Sequence, residues 1–566
     1  MDEFTGKSSV KLIGKGLLLG SPALVMILGF IVLPSVLLCT TAFLTRSPEG
    51  FIDDTLTMAN VSRALGFDGQ GAGGRNLTIL LQSFAYAAPV SLCSVILGFP
   101  VAIWISARRP RMRNLAVALV MIPLCLNIVI RAYAWILLFG ADSPLCTLLQ
   151  TIGILDVRAG LYPSSFAVFV GMLSATLPFA ILTLQSATDR IDWNLLDAAE
   201  DLYASRVRAW HHGVIKACMP ALRTSFLLTF IPALGMFVVP DILGGAKSWM
   251  IGNLIQQQFG AARNWPYGSA LSVLLMALIV PFMITLVRGR HDATEGAGRP
   301  RSGRFTWTIT VLACIFLYLP LATIVTAGFF SSPNGISFGR PTLDWFSSAL
   351  SNRDVINALL NTLQLAVIST GVATIFGTMF AFSLQRHHWP RRFRSLIEVA
   401  LQLPLALPEV LLAVGIALSL GLLRQVSDVF APGMTSMILG HVAFQTAFVT
   451  IAVRAGLITL GTNLEQAAAD LYARPFETFR RVTLPLIAPS VIAGAILAFT
   501  LSLEDFAISF MTSSPDSTTL PILLYGSIRR GITPQLHAIS AILIVTTALL
   551  VFAALALIPK PTIKAS

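Results

Sequence analysis

Apolar residues in this chain come in long unbroken runs, with no alternation at the period of a half-buried strand and few of the one-sided stripes that mark surface helices of soluble proteins. Crossing a hydrocarbon core of about 30 Å takes about 20 mostly apolar residues in helical form. Windows of that kind predict helices near 17–44, 79–106, 114–140, 164–187, 222–243 and 267–287. A second set follows near 306–329, 357–385, 395–422, 435–459, 490–512 and 536–558. The first run is too long for the apolar core of a signal peptide and lacks a cleavage pattern, which makes it a first transmembrane helix.

Composition agrees with the pattern. Of 566 residues, 55% are hydrophobic and 12% charged, and the mean hydropathy is +0.77. A soluble fold has no place to hide that much apolar surface. The net charge of +12 does not point to nucleic acid, because the basic residues cluster at the ends of apolar runs. With the N-terminus inside, Lys7, Lys11 and Lys15 fall on the cytoplasmic side. So do Arg108, Arg109, Arg111 and Arg113, then Arg386, Arg391, Arg392 and Arg394, and finally Lys560 and Lys564, which places both termini in the cytoplasm by the positive-inside rule. The Gly- and Arg-rich segment 288–304 reads as a solvated linker between a first half, 1–287, and a second half, 305–566. The six cysteines are scattered without metal-ligand or redox spacing and suit packing roles.

An internal repeat organises the chain. Residues 197–204 read DAAEDLYA and residues 466–473 read QAAADLYA, 269 residues apart, and the same offset sets Trp210 over Phe479, Pro220 over Pro489 and Phe230 over Phe499. Upstream, 81–102 lines up with 360–381 at an offset of 279, with Gly98 over Gly377. Two similar halves in one orientation imply a pseudo-two-fold axis along the membrane normal with a pathway between them. Each repeated segment, 197–220 and 466–489, falls in a cytoplasmic connection. In the second, Ala468, Leu471, Tyr472 and Phe479 are spaced to form one apolar helical stripe, suited to a groove on a cytoplasmic partner or to the lipid headgroup surface. Two matched copies favour a two-fold partner.

These segments resemble the coupling motif of permeases of binding-protein-dependent ABC importers, Glu-Ala-Ala, two residues, Leu-Gly-Ala, and later Ile-x-Leu-Pro. Asp197, Ala198, Ala199, Leu202 and Ala204 follow it in the first copy. Gln466, Ala467, Ala468, Leu471, Ala473, Leu484 and Pro485 follow it in the second. Tyr203 and Tyr472 stand where the family has Gly, and Lys216 stands at the proline position of the first copy, so an altered turn or an altered partner contact is expected there. The resemblance implies an all-α polytopic membrane protein of two tandem six-helix halves, with type I importer permease architecture. It implies a multi-pass protein of the bacterial inner membrane that is itself no enzyme. It also implies two ATP-binding subunits, expected as two copies of one chain, and a periplasmic substrate-binding protein. No G-x-x-x-x-G-K-[ST] loop occurs in the sequence, so ATP and magnesium are expected to be used by the partner subunits, with no cofactor on this chain.

Within the family, 230–259 with Trp265, Pro266 and Gly268 resembles one permease subunit of spermidine/putrescine systems, and 502–514 with 520–534 resembles the other. Permeases for ferric iron, thiamine and aminoethylphosphonate share much of this pattern. Acids inside apolar runs are functional candidates by default. Glu504 and Asp505 sit mid-way along one predicted helix, Glu409 follows Pro408 inside another, and Asp241 closes the fifth. They either line a path for a cationic solute, or pair with Arg131 and cap helix breaks near Pro240 and Pro408. His211 and His212 in the coupling segment, and His387 and His388 in a basic loop, suit surface roles better than metal ligation, and His441 suits a hydrogen bond. An ion-coupled secondary carrier is the alternative function; it leaves the matched cytoplasmic repeats unexplained.

Overall fold

A computed structural model describes residues 16–47, 52–67, 72–156, 159–245, 248–288, 302–330, 340–387, 389–531 and 533–557. Residues 289–301 of the expected linker, Lys7, Lys11, Lys15, His388, Lys560 and Lys564 lie outside them.

Helices α1 (Gly16–Thr41), α2 (Ala59–Leu65), α3 (Ala72–Ser106), α4 (Pro110–Leu124), α5 (Ile128–Phe139), α6 (Pro144–Thr151) and α7 (Ser165–Thr188) begin the first half. It continues through α8 (Asn194–Asp201), α9 (Arg206–Trp210), α10 (Lys216–Leu234), α11 (Val238–Leu243), α12 (Ile251–Phe259) and α13 (Trp265–Arg288). The second half holds α14 (Arg304–Gly328), α15 (Asp344–Ser351), α16 (Arg353–Arg386), α17 (Arg391–Ala406), α18 (Glu409–Leu423) and α19 (Met434–Leu460). It ends with α20 (Asn463–Asp470), α21 (Pro475–Thr478), α22 (Leu484–Glu504), α23 (Ala507–Thr512), α24 (Leu520–Arg530) and α25 (Pro534–Leu557). A short antiparallel hairpin pairs Leu44–Arg46 with Ile52–Leu56. Among the described residues eleven helical stretches are long and apolar enough to cross a membrane, and a twelfth results if α17 and α18, bent by 112° at their break, form one span.

The helices themselves carry the duplication. From α8 to α13 each element has a counterpart 269 residues later, so that α11 matches α23, α12 matches α24, and α13 matches α25. Packing repeats as well: α3 lies on α7 and α10 as α16 lies on α19 and α22. Hydroxyl pairs bridge α3 and α7 where apolar contact alone offers little net drive in lipid, Ser94 with Thr176 at 2.7 Å and Ser106 with Thr188 at 2.8 Å.

The first helix of each half packs on the other half as well as on its own, α1 on α13 and α14 on α25. α1 lies against α18, and α14 lies against α5 and α3. Close approach requires small residues: a Cβ added at Gly20 would stand 3.1 Å from the Phe380 ring, and the Ser383 hydroxyl donates to the Gly16 carbonyl at 2.6 Å. The halves are interlocked, with cores that draw on both, such as Val101, Ile105 and Val120 with Ala313 and Leu317.

Four predicted spans are broken. The run 114–140 divides between α4 and α5, 395–422 divides between α17 and α18, 490–512 divides after Glu504, and 222–243 divides in the same way after Leu234, between α10 and α11. The first two breaks are repeat equivalents, since α4 and α17, and α5 and α18, begin 281 residues apart. Asn127 explains the first. Its side chain accepts from the Val129 backbone N–H at 2.8 Å, capping α5, while its amide donates to the carbonyl of Glu504 in the other half.

Candidate functional site

The two repeated segments fold alike. In the first, Leu202 donates its backbone N–H to Ala198 (3.2 Å), Tyr203 to Glu200 (2.9 Å) and Ala204 to Ala199 (3.1 Å). In the second, Leu471 donates to Ala467 (3.2 Å), Tyr472 to Ala469 (2.9 Å) and Ala473 to Ala468 (3.0 Å). This is a Schellman helix end, and its left-handed residue is Tyr203 or Tyr472, each with φ of 59°. A non-glycine residue there costs about 1–2 kcal/mol. The backbone turn is thus one that Gly would fill without strain, and the consequence of Tyr is a ring held outward: Tyr203 is 98% and Tyr472 95% exposed, next to Leu202 and Leu471. Asp197, Ala198 and Gln466, Ala467 lie on exposed positions of α8 and α20, with Ala199, Ala204, Ala468 and Ala473 half-buried. The expected stripe of Ala468, Leu471, Tyr472 and Phe479 is not one helical face, because α20 stops at Asp470 and the turn redirects the chain. Leu484 and Pro485 open α22 after a π-helical segment, Phe479–Thr483, whose counterpart is His211–Ile215.

The turns are seated differently. Leu196 anchors the first in an apolar cluster with Ile103, Ile191, Trp193, Ala209, Val214 and Cys218. Its counterpart is Glu465, which takes Arg386 at 2.6 Å and the Thr483 hydroxyl at 2.9 Å, with side chains of Arg386 and Glu465 only 10% and 17% exposed. Sequence reading missed this pair; a charge at a position whose repeat partner is Leu was the available signal.

At the far ends of α10 and α22 the repeats meet. Phe237 and Phe506 hold equivalent positions, both are buried, and their ring centroids lie 6.0 Å apart. Equivalent residues in contact mark the pseudo-two-fold axis. Phe506 also packs on Phe510 (5.1 Å) and Tyr525 (4.8 Å).

The sequence-predicted acids surround this contact in distinct roles. Glu504 and Asp505 are not mid-helix: Glu504 is the last residue of α22 and Asp505 follows it at the break. Asp505 caps α23, accepting from the backbone of Ile508 (3.3 Å) and Ser509 (2.8 Å), and also takes the Ser509 hydroxyl (2.8 Å) and His441 Nε2 (3.1 Å). His441 in turn holds Ser502 at 2.8 Å, so its expected hydrogen bond becomes a buried bridge. Glu409 opens α18 and accepts from the backbone of Phe506 and Ala507; the residue as a whole remains accessible to solvent. Half-buried Glu504 has one carboxylate oxygen, Oε1, without a hydrogen-bond partner, and Arg131 likewise leaves Nε and Nη1 unpaired. Arg131 feels the charges of both Glu504 and Glu409. Asp241 does not close the fifth helix; it lies in the separate α11, where the Tyr525 hydroxyl donates to it. Among the described residues no group of three or more His, Cys, Asp or Glu is arranged to hold a metal ion.

Comparison with known proteins adds the lineage. The family described as "Binding-protein-dependent transport system inner membrane component" matches residues 94–294 and again 373–560. The spermidine/putrescine transport system permease protein PotB of Haemophilus influenzae is 33% identical over 254 residues, 44% of this chain and 86% of its own length. PotB of Escherichia coli is 33% identical over 247 residues, 44% of this chain and 87% of its own length. The putrescine transport system permease protein PotI of Escherichia coli is 33% identical over 246 residues, 43% of this chain and 86% of its own length.

Proposed function

The chain belongs to the family of binding-protein-dependent transport system inner membrane components, and on that premise we propose that it imports a polyamine such as putrescine or spermidine, driven by two copies of one ATP-binding subunit. It is the permease of an ATP-binding-cassette importer, a multi-pass membrane protein and not an enzyme, and works with ATPase and substrate-binding partners. The proposed cargo and stoichiometry extend that statement.

The observation that carries the cargo reading is Glu409 beside the axis, an exposed residue, with the partly unpaired Glu504 near enough to feel its charge. A charge in the membrane interior costs several kcal/mol unless it is compensated, and a cationic amine compensates it. Of the four acids, Glu409 and Glu504 are assigned to the path. Asp505 is assigned to holding the α23 helix end, and Asp241 to the interface between the halves at the approach to that path.

The turns at Leu202–Tyr203 and Leu471–Tyr472 are proposed to seat in two equivalent pockets of an ATPase dimer. Its closure on ATP would draw them together and swing α10 and α22, parting Phe237 from Phe506. Differential binding of the dimer to the two permease states supplies the driving force. In this reading both termini and both turns are cytoplasmic, and ATP and magnesium belong to the partner subunits. Uptake of labelled putrescine into proteoliposomes holding the full transporter, challenged with spermidine, a ferric chelate, thiamine and aminoethylphosphonate, tests the cargo: only spermidine is expected to compete.

A further inference from the structure

Asp241, Tyr525 and Arg529 make a polar link between the halves that the duplication does not account for. Asp241 belongs to α11 of the first half, Tyr525 and Arg529 to α24 of the second. The Tyr525 hydroxyl donates to Asp241 Oδ2, and Arg529 Nη2 stands 3.9 Å from Asp241 Oδ1. The Arg529 guanidinium lies 5.6 Å from the centre of the Tyr525 ring and donates to its hydroxyl at 3.5 Å. At the 269-residue offset the counterparts are Phe510 for Asp241, Gln256 for Tyr525 and Gly260 for Arg529. None of these can rebuild the link on the other side of the axis, so it exists once.

Its position ties it to the axis. The Tyr525 ring packs on Phe506 at 4.8 Å and on Phe510 at 5.7 Å, and Phe506 is the residue that meets Phe237. The link also lies at the end remote from the coupling turns, since the 19 residues of α10 span about 28 Å. It is open to exchange. The Arg529 side chain is 61% exposed and Asp241 18%, and an ion pair at 3.9 Å with one partner in solvent holds weakly.

Resting on the cargo reading above, we propose that this triad is a one-sided latch over the axial aromatic pair, and that an arriving primary-amine cation opens it by taking the place of Arg529 at Asp241. An alkyl ammonium brings three donors in a compact head. Asp241 and the Tyr525 hydroxyl oxygen offer acceptors side by side, and the Tyr525 ring offers a face to a cation. Once the ammonium holds Asp241, Arg529 returns to solvent, the tie between α11 and α24 is lost, and Tyr525 is free to move off Phe506.

The test uses the complete transporter, with its ATP-binding and solute-binding subunits, in proteoliposomes, reading ATP hydrolysis without solute and the putrescine concentration for half-maximal uptake. Arg529→Gln is expected to raise solute-free hydrolysis severalfold and lower the half-maximal concentration, because the competitor for Asp241 is gone. Asp241→Asn is expected to raise hydrolysis too, but to raise the half-maximal concentration about tenfold, equivalent to about 1.4 kcal/mol. Tyr525→Phe keeps the ring packing and is expected to share the rise in hydrolysis, which guards against misfolding as its cause. Wild-type hydrolysis in all three variants, or half-maximal concentrations that move together in Arg529→Gln and Asp241→Asn, overturns the latch. Failure of the wild type to take up any amine overturns the cargo reading instead, and solute-free hydrolysis in Arg529→Gln tells the two failures apart.

Discussion

Phe237 and Phe506 are the same residue of a duplicated unit, and they touch, with ring centroids 6.0 Å apart. Each follows the end of a long helix that begins after one of the two repeated turns. A movement imposed on both turns in the same sense therefore reaches one contact from two sides. The pair is buried and apolar, which suits a seal against ions and polar solutes.

Replacing Phe506 by Ala removes the residue with the most aromatic neighbours at the axis. Truncating a buried Phe costs about 3–5 kcal/mol in a packed core, and here the void would lie on the proposed pathway. Leak of putrescine from preloaded proteoliposomes without ATP should appear in Phe506→Ala and be absent in Phe506→Leu. A tight Phe506→Ala would remove the seal from this contact.

Glu409 and Asp505 should respond in opposite ways to removal of charge. Glu409→Gln keeps an oxygen for the Phe506 and Ala507 backbone, so the protein should reach the membrane in normal amount while amine uptake falls about ten- to a hundredfold, as for loss of one charge-assisted hydrogen bond of about 1.5–3 kcal/mol. Asp505→Asn weakens the α23 cap and the bond to His441, and should lower the yield of folded protein. Normal yield for Asp505→Asn with selective loss of uptake would exchange the two assignments.

The Tyr residues of the two repeated turns separate strain from contact. Tyr472→Gly relieves a left-handed conformation costing about 1–2 kcal/mol but deletes the ring, whereas Tyr472→Ala deletes the ring and retains much of the strain. If the ring is an anchor, both variants should bind the ATPase subunit at least severalfold more weakly in a titration of the purified complex. Binding by Tyr472→Gly equal to wild type would assign the partner contact to Leu471 alone.

The two turns should also differ in sensitivity to salt and to charge removal. Glu465→Gln leaves Arg386 half-paired in a largely buried setting, a change of about 1–3 kcal/mol, and should reduce solute moved per ATP hydrolysed. The corresponding seat at Leu196 is apolar, and its truncation to Ala should cost about 2–5 kcal/mol independently of ionic strength. Equal salt dependence of coupling in Glu465→Gln and Leu196→Ala would contradict the distinct seating.

The sequence by itself determined that this chain lives in a bilayer, how many times it approaches a crossing, that it is a duplication, and where the two matched turns lie. Those properties follow from local hydropathy and from the spacing of the repeat, which need no knowledge of neighbours. What only the tertiary structure decided is where the apolar runs break, and which acids face solvent, cap a helix or bridge the halves. The run 490–512 looks continuous because both flanks of Glu504 are apolar; it ends there because Asn127 of the other half takes the Glu504 carbonyl, while Asp505 and Glu409 take the freed N–H groups of α23. Backbone groups released inside a membrane must find partners, and here two of those partners, Glu409 and Asn127, lie about a hundred and nearly four hundred residues away in the chain, beyond the reach of any local pattern.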